Sequence, residues 1–182
     1  MTADQNSLFK ELAKRDAGRM AKQMGDTFEQ IFEHACVRKS VAVSRVPNGC
    51  RRIGAKKLIP IKSPFDWIIT HNTTAVLDTK TIEGDKFPHS KIDHHQVGEL
   101  LPHELKGAHA GYVIWFRKSN RVMFIRASAL ATRIRVSGSI KPTDADCLPL
   151  GSMNDFDVRK LFKPTIEMAL EALNRPDKPN GR

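Results

Sequence analysis

Apolar residues recur at helical spacing over 18–35, where Met20, Met24, Phe28, Ile31 and Ala35 form one stripe and Lys22, Asp26, Glu29 and Glu33 fall on or beside the other faces. The spacing predicts an amphipathic helix. The period then shortens: over 40–46, Val41 and Val43 precede Ser44 and Arg45 and lead into Pro47-Asn48-Gly49, a strand running into a turn. Arg51, Arg52, Lys56, Lys57 and Lys62 crowd the next segment, where Gly54 and Pro60 predict a basic loop. Residues 66–71 and 74–81 read as two strands joined at Asn72-Thr73, a connection short enough for a hairpin. A polar loop through Gly84, Asp85, Pro88 and Ser90 leads to 93–106, where Val97, Leu100, Leu101 and Leu105 predict a helix that Pro102 would bend or break. Residues 112–117 and 122–126 are apolar, aromatic and β-branched on either side of Lys118-Ser119-Asn120-Arg121, a second hairpin. Residues 155–162 and 165–173 look helical on the two sides of Pro164, and the polar, Pro-rich stretch 174–182 is expected to be a mobile tail. Together these elements predict an α/β fold with a central sheet of about five strands flanked by helices.

A length of 182 residues suits one domain, placed at 18–173, with an N-terminal arm over 1–17 and the tail over 174–182. Hydrophobic content of 40% with 27% charged residues argues against overall disorder. The formal net charge of +10 favours a polyanionic partner through phosphate neutralisation, and nucleic acid is the natural candidate. Cys36, Cys50 and Cys147 are odd in number and widely spaced, which suggests neither a disulfide framework nor a CxxC metal knuckle and fits a reducing cytoplasm. The polar start, Met1 to Lys10, has no signal-peptide core, and no apolar run is long enough to span a bilayer, so no membrane association is expected.

The chemistry lies in the first hairpin. In Ser63-Pro64-Phe65-Asp66 followed by Leu77-Asp78-Thr79-Lys80, one carboxylate opens a strand and a second lies two residues before a lysine on its neighbour. Strand side chains alternate, so Asp78 and Lys80 project together while Leu77 and Thr79 point the other way, and the hairpin can bring Asp66 alongside. Ala75, Val76 and Leu77 make this an apolar strand, and two charges on such a strand have a use at a metal site and none in a core. Two carboxylates holding Mg²⁺, for which Mn²⁺ would substitute, can activate water and stabilise an attacked phosphate; the Thr79 backbone carbonyl is a further hard-oxygen donor, and the Lys80 ammonium can orient the water or meet the developing charge.

Several ordered segments widen the pattern: Gly25-Asp26-Thr27-Phe28-Glu29 on the first helix, Ser63-Pro64-Phe65-Asp66-Trp67, Leu77-Asp78-Thr79-Lys80-Thr81, Phe87-Pro88, Ile92-Asp93-His94-His95-Gln96, and Gly111-Tyr112-Val113-Ile114-Trp115-Phe116. In these, over about 18–126, the chain resembles the RecU-type Holliday junction resolvases of the PD-(D/E)xK nuclease superfamily. The resemblance implies a restriction-endonuclease-like core with a mixed sheet between helices. It implies Asp66 and Asp78 as metal ligands, Lys80 as catalytic lysine, Glu29 as an acid near the metals, and Gln96 approaching the same site from its helix. It also implies a homodimer that makes paired nicks across a four-way DNA junction during recombination or repair, since two-fold protein symmetry matches two symmetric cuts. Asp78 stands where the family usually has glutamate, which changes geometry more than chemistry. The family's long stalk before the first catalytic acid is reduced here to the basic stretch 50–62, whose Arg51, Arg52, Lys56, Lys57 and Lys62 are expected to contact DNA phosphates instead.

The alternatives are a restriction-type or flap-cutting nuclease on the same fold, and a non-catalytic DNA-binding protein. His89, His94, His95, His103 and His109 invite a zinc site, but adjacent His94 and His95 point to different helix faces and no cysteine is near, so packing or phosphate contact is expected. Tyr112, Trp115 and Phe116 are expected in the core, although each could stack on an exposed base.

Overall fold

The computed structural model describes residues 3–53, 57–61 and 63–163 of the chain. A six-stranded mixed sheet forms the centre, flanked by helices on both faces. Its strands are β1 (Ala42–Arg45), β4 (Trp67–Thr70), β5 (Thr74–Ile82), β6 (His109–Phe116), β7 (Arg121–Arg126) and β8 (Cys147–Ser152), in the spatial order β1-β4-β5-β6-β7-β8. Among the described strands only β5 and β6 run parallel; α2 (His94–Leu105) connects them, as a parallel pair requires. The helix α1 (Ala3–Arg38) lies on one face and α2 and α3 (Ala127–Arg135) on the other. Strands β2 (Gly49–Ile53) and β3 (Lys57–Ile61) form a separate two-stranded ribbon.

The alternation of β5 decides how this framework is filled. Ala75 and Leu77 turn toward α1, where Phe28, Phe32, Ala35 and Cys36 meet Trp67, Ile69, Val113 and Phe124 in one fully enclosed cluster. Val76 turns the other way, into a cluster with Val97 and Leu100 of α2, Leu130 of α3, and Tyr112, Ile114 and Ile125 of the sheet. The backbones of β6 and β7 are so close at Gly111 that it has no room for a side chain: a Cβ there would stand 2.0 Å from the Ile125 carbonyl oxygen on β7. Since the obstacle is backbone, Gly111→Ala is expected to cost at least about 3 kcal/mol, read as a drop in the urea unfolding midpoint. No helix among the described residues is long and apolar enough to cross a membrane.

Several elements depart from expectation for identifiable reasons. α1 begins at Ala3 rather than near residue 18, because the segment expected as an arm is rich in helix formers such as Ala3, Gln5, Leu8, Lys10, Glu11 and Leu12 and holds no proline. The expected basic loop is the β2–β3 ribbon, in which Pro60 faces Cys50; with only two strands every position is an edge, where proline is tolerated. Pro102 does not break α2, which runs on through it to Leu105. β8 carries Pro149 and Gly151 and takes the sheet edge, raising the strand count to six, while α3 has Ala127, Leu130 and Ile134 at helical spacing. The helix expected over 155–162 is a short 3₁₀ turn, Val158–Phe162, capped by Asp157. The helix expected at 165–173 and the tail at 174–182 lie outside the described residues, as do Lys56 and Lys62.

Candidate active site

The site forms where two neighbouring strands part. β4 is paired to β5 only from Thr74 to Leu77, whereas β5 continues alongside β6 to Ile82. Past Leu77 the flank of β5 has no strand beside it, and the Asp66 carboxylate fills the first gap. Its Oδ2 accepts from the Thr79 backbone N–H and from the Thr79 hydroxyl, both at 2.9 Å, and the same hydroxyl accepts from Trp67 Nε1 at 3.4 Å. In an extended strand the N–H and C=O of one residue face the same side, so the Thr79 carbonyl shares the side on which Asp66 lies. The Thr79 side chain was expected to point away from the site; it joins it because Asp66 enters from the end of β4 and reaches past the edge of the strand.

Asp78 and Lys80 project together from the opposite face, beneath α2. Asp78 is fully buried, and Gln96 of α2 is 2% exposed. The Gln96 amide bridges the pair: its Nε2 donates to Asp78 Oδ1 at 2.8 Å and its Oε1 accepts from Lys80 Nζ at 3.0 Å. Oε1 also accepts from the Tyr112 hydroxyl at 3.3 Å, while the Lys80 ammonium lies 5.1 Å from the centre of the Tyr112 ring, a cation–π distance. Lys80 is ion-paired to Asp78 Oδ2, although that oxygen accepts no hydrogen bond of good geometry. Gln96 is held in turn by the start of its helix, where Asp93 caps the amides of His95 and Gln96.

Burial dominates the electrostatics. It pushes the Asp78 carboxyl up to about 7 against the pull of Lys80, and the Asp66 carboxylate, close enough to share a hydrogen bond, pushes it further in the same direction. Burial and the nearby Asp78 charge raise the Tyr112 hydroxyl well above its ordinary value. On the α1 side Glu29 is ion-paired to Arg45, whose guanidinium lies 5.7 Å from the centre of the Trp67 ring. Burial and the Asp66 and Asp26 charges raise the Glu29 carboxyl, and Arg45 opposes them.

The structure therefore gathers Asp66, Thr79, Asp78, Lys80 and Gln96 in direct contact, with Glu29 in the electrostatic range of Asp66. Among the described residues no group of three or more His, Cys, Asp or Glu side chains is arranged to hold a metal ion. The acids that face each other are Asp66 and Asp78, a donor set suited to Mg²⁺, which keeps much of its water and needs one or two carboxylates. A buried carboxyl pushed upward beside a second carboxylate is an arrangement that a divalent cation would relieve.

Other expected residues fall elsewhere. Arg51 and Arg52 lie on β2 and Lys57 on β3, in the separate ribbon. The histidines are dispersed in ring contacts: His89 with His94, His103 with Phe65, and His109 with Phe162. Tyr112 and Phe116 are core residues as expected, whereas Trp115 is only partly buried. The Tyr112 hydroxyl and the Thr79 hydroxyl escaped the sequence reading. For Thr79 no sequence signal exists, but Asp93 three residues before Gln96, opening an apolar helix, is a capping pattern that could have fixed where Gln96 points.

No protein-family model matches the chain, and no curated protein matches it. Among solved structures, the chain is similar to Archaeoglobus fulgidus Hjc, a Holliday junction resolvase from an archaeal hyperthermophile, with 18% sequence identity and a TM-score of 0.41 over 57% of this chain and 78% of that one. At that identity and score the likeness carries no weight for the residues of the site.

Proposed function

We propose that the chain is a divalent-metal-dependent endonuclease acting on branched DNA, with Asp66, Asp78 and Lys80 at its catalytic centre. The observation that carries this reading is the Asp78 carboxyl. It is fully buried, pushed up to about 7, set beside Asp66, and bridged through Gln96 to Lys80. A fold maintains so costly a group where function requires it, and perturbed carboxyls beside a second acid and a base are a mark of active sites. The net charge of +10 suits a phosphodiester substrate.

Asp66, Asp78 and the Thr79 carbonyl would hold Mg²⁺ or Mn²⁺, with Glu29 close by. Bound there, the ion would supply charge stabilisation at the phosphate and acidify a water. The chain's own groups do the rest. Thr79 fixes the Asp66 carboxylate through its amide and hydroxyl. Gln96 orients Asp78 and Lys80 together, and its Oε1 keeps a partner for the ammonium when the Asp78 carboxylate is engaged elsewhere. Lys80, the most exposed member of that trio, then presents its ammonium to the attacked phosphate or to the attacking water. Two copies related by a two-fold axis would cut a four-way junction in paired fashion.

Cleavage of a labelled synthetic four-way junction beside linear duplex of the same sequence, with and without Mg²⁺, tests the reading. Paired, metal-dependent nicks in the junction alone are expected. Equal cutting of linear duplex would keep the site and replace the substrate, whereas junction binding with no cleavage under any metal would leave a DNA-binding protein. Thr79→Val retains the backbone amide and removes the hydroxyl. It is expected to raise the Mg²⁺ concentration needed for half-maximal cleavage by about 10- to 100-fold, the usual effect of losing a group that orients a metal ligand.

A further inference from the structure

Beyond the catalytic residues β5 carries Thr81, and in the parallel register Thr81 stands beside Trp115 of β6. The Thr81 hydroxyl and the Trp115 indole N–H are buried without a hydrogen-bond partner. Buried polar groups are ordinarily satisfied, and each exception costs about 1–3 kcal/mol, so two adjacent ones set this patch apart from the packed core. Trp115 also borders an open cavity of about 490 Å³ lined by Met24 of α1, Glu83, Arg117 and Lys118. One side of the indole packs on Phe28, with ring centres 5.9 Å apart, and the Arg117 guanidinium lies 6.0 Å from the centre of the same ring. Lys118 is paired with Asp85 at 2.7 Å on the exposed rim. None of these residues belongs to the catalytic centre.

The cavity and the centre share one strand. Four residues of extended chain separate Thr79 from Glu83, about 13 Å, which at about 3.4 Å of rise per stacked nucleotide is a reach of a few nucleotides. We propose that this cavity receives an unpaired nucleobase of the DNA strand whose backbone crosses the catalytic centre. The proposal rests on the nuclease reading and adds to it the feature of the substrate that is recognised. Trp115 and Met24 supply an apolar, aromatic wall, and every base has a face that can stack on it. The Arg117 guanidinium already occupies a stacking position that a base can share. Glu83 offers an acceptor for an exocyclic amino group, and Lys118 a charge for the adjoining phosphate. A base held in a duplex cannot enter, because stacking and pairing cover its faces and edge. The cavity thus separates DNA with unpaired nucleotides near the cut from continuous duplex.

The chain has two tryptophans, and since the buried Trp67 adjoins Thr79 of the proposed centre, the part of a fluorescence change that depends on the bases in the open strand is what reports Trp115. The full chain would be titrated in EDTA with a linear duplex, with the same duplex carrying a three-nucleotide gap, and with that gap bridged by abasic sites. Gapped DNA carrying bases in the open strand is expected to quench the fluorescence and to bind about tenfold more tightly than its abasic counterpart. Trp115→Leu should erase that difference and leave duplex affinity unchanged, while Trp115→Phe, which keeps the packing on Phe28, should retain the affinity and lose the quench. Equal affinity for base-bearing and abasic DNA would overturn the proposal, as would a quench that survives Trp115→Phe or an equal loss for all three DNAs in Trp115→Leu. Junction cleavage with Mg²⁺ is read separately: cutting that ignores the bases removes the cavity's role and keeps the nuclease, and base-dependent binding without cutting does the reverse.

Discussion

Asp78→Asn will lower metal-dependent cleavage of junction DNA by at least about a thousandfold and, in EDTA, will make the protein more stable above pH 7. The two effects have one origin. In the folded chain the Asp78 carboxyl holds its proton up to about pH 7, against an ordinary value of 3.8. Between those values the folded state binds more protons than the unfolded one, so stability falls as pH rises, and the penalty is complete above about pH 7. Below about pH 4 both states are protonated and the penalty is absent. Asparagine keeps the shape and an acceptor for Lys80 but has no charge to bury. Urea unfolding of wild type and variant in EDTA should therefore give nearly equal stabilities at pH 4 and a gap on the order of 3 kcal/mol at pH 8. A gap that does not change with pH would show that burial of this carboxylate is not what the wild type bears.

Lys80→Ala will also abolish most of the cleavage, by about 10²- to 10⁴-fold, but its effect on stability has the opposite sign. It leaves the Asp78 carboxyl buried with Gln96 as its remaining donor and without the charge that pulls its pKa down, so the carboxyl keeps its proton to still higher pH and the added cost at pH 8 is about 1–2 kcal/mol. That cost applies only where Asp78 is ionised in the wild type, so the loss should be present at pH 8 and absent at pH 5. Lys80→Ala and Asp78→Asn would then look alike in a cleavage assay and move unfolding midpoints in opposite directions. Shifts of the same sign in EDTA at pH 8 would mean that the two side chains are not energetically coupled.

The grouping of Asp66, Asp78 and Lys80 was legible in the sequence because strand alternation is strict and because charges on an apolar strand stand out. The same rule missed the Thr79 hydroxyl, since alternation gives the face a side chain leaves from but not the Asp66 carboxylate that reaches it along the flank of β5 opposite β6. Gln96 was expected near the centre, but its amide orientation depends on two partners from β5 and one from β6, which no local pattern encodes. Among the elements, α1 was read only from residue 18 on, because the segment before it was set aside as an arm although it is rich in helix formers. β8 was lost to its own proline and glycine, residues that a sheet admits at its edge and that a reader of the sequence takes for a loop. The β2–β3 ribbon was hidden in the same way.

The parting of β4 from β5 makes the proposed catalytic centre a by-product of unequal strand lengths. From Asp78 onward β5 has lost its partner on one flank, and the backbone groups that a complete ladder would have consumed are left for Asp66 and for whatever binds next to it. The centre was thus not added to the sheet as a loop or an insertion; it is what remains when one strand begins late. A chain in which β4 began two residues earlier would close that flank like a zipper drawn past its stop. Every side chain of the centre would still be present, in a protein with nowhere for a phosphate to go.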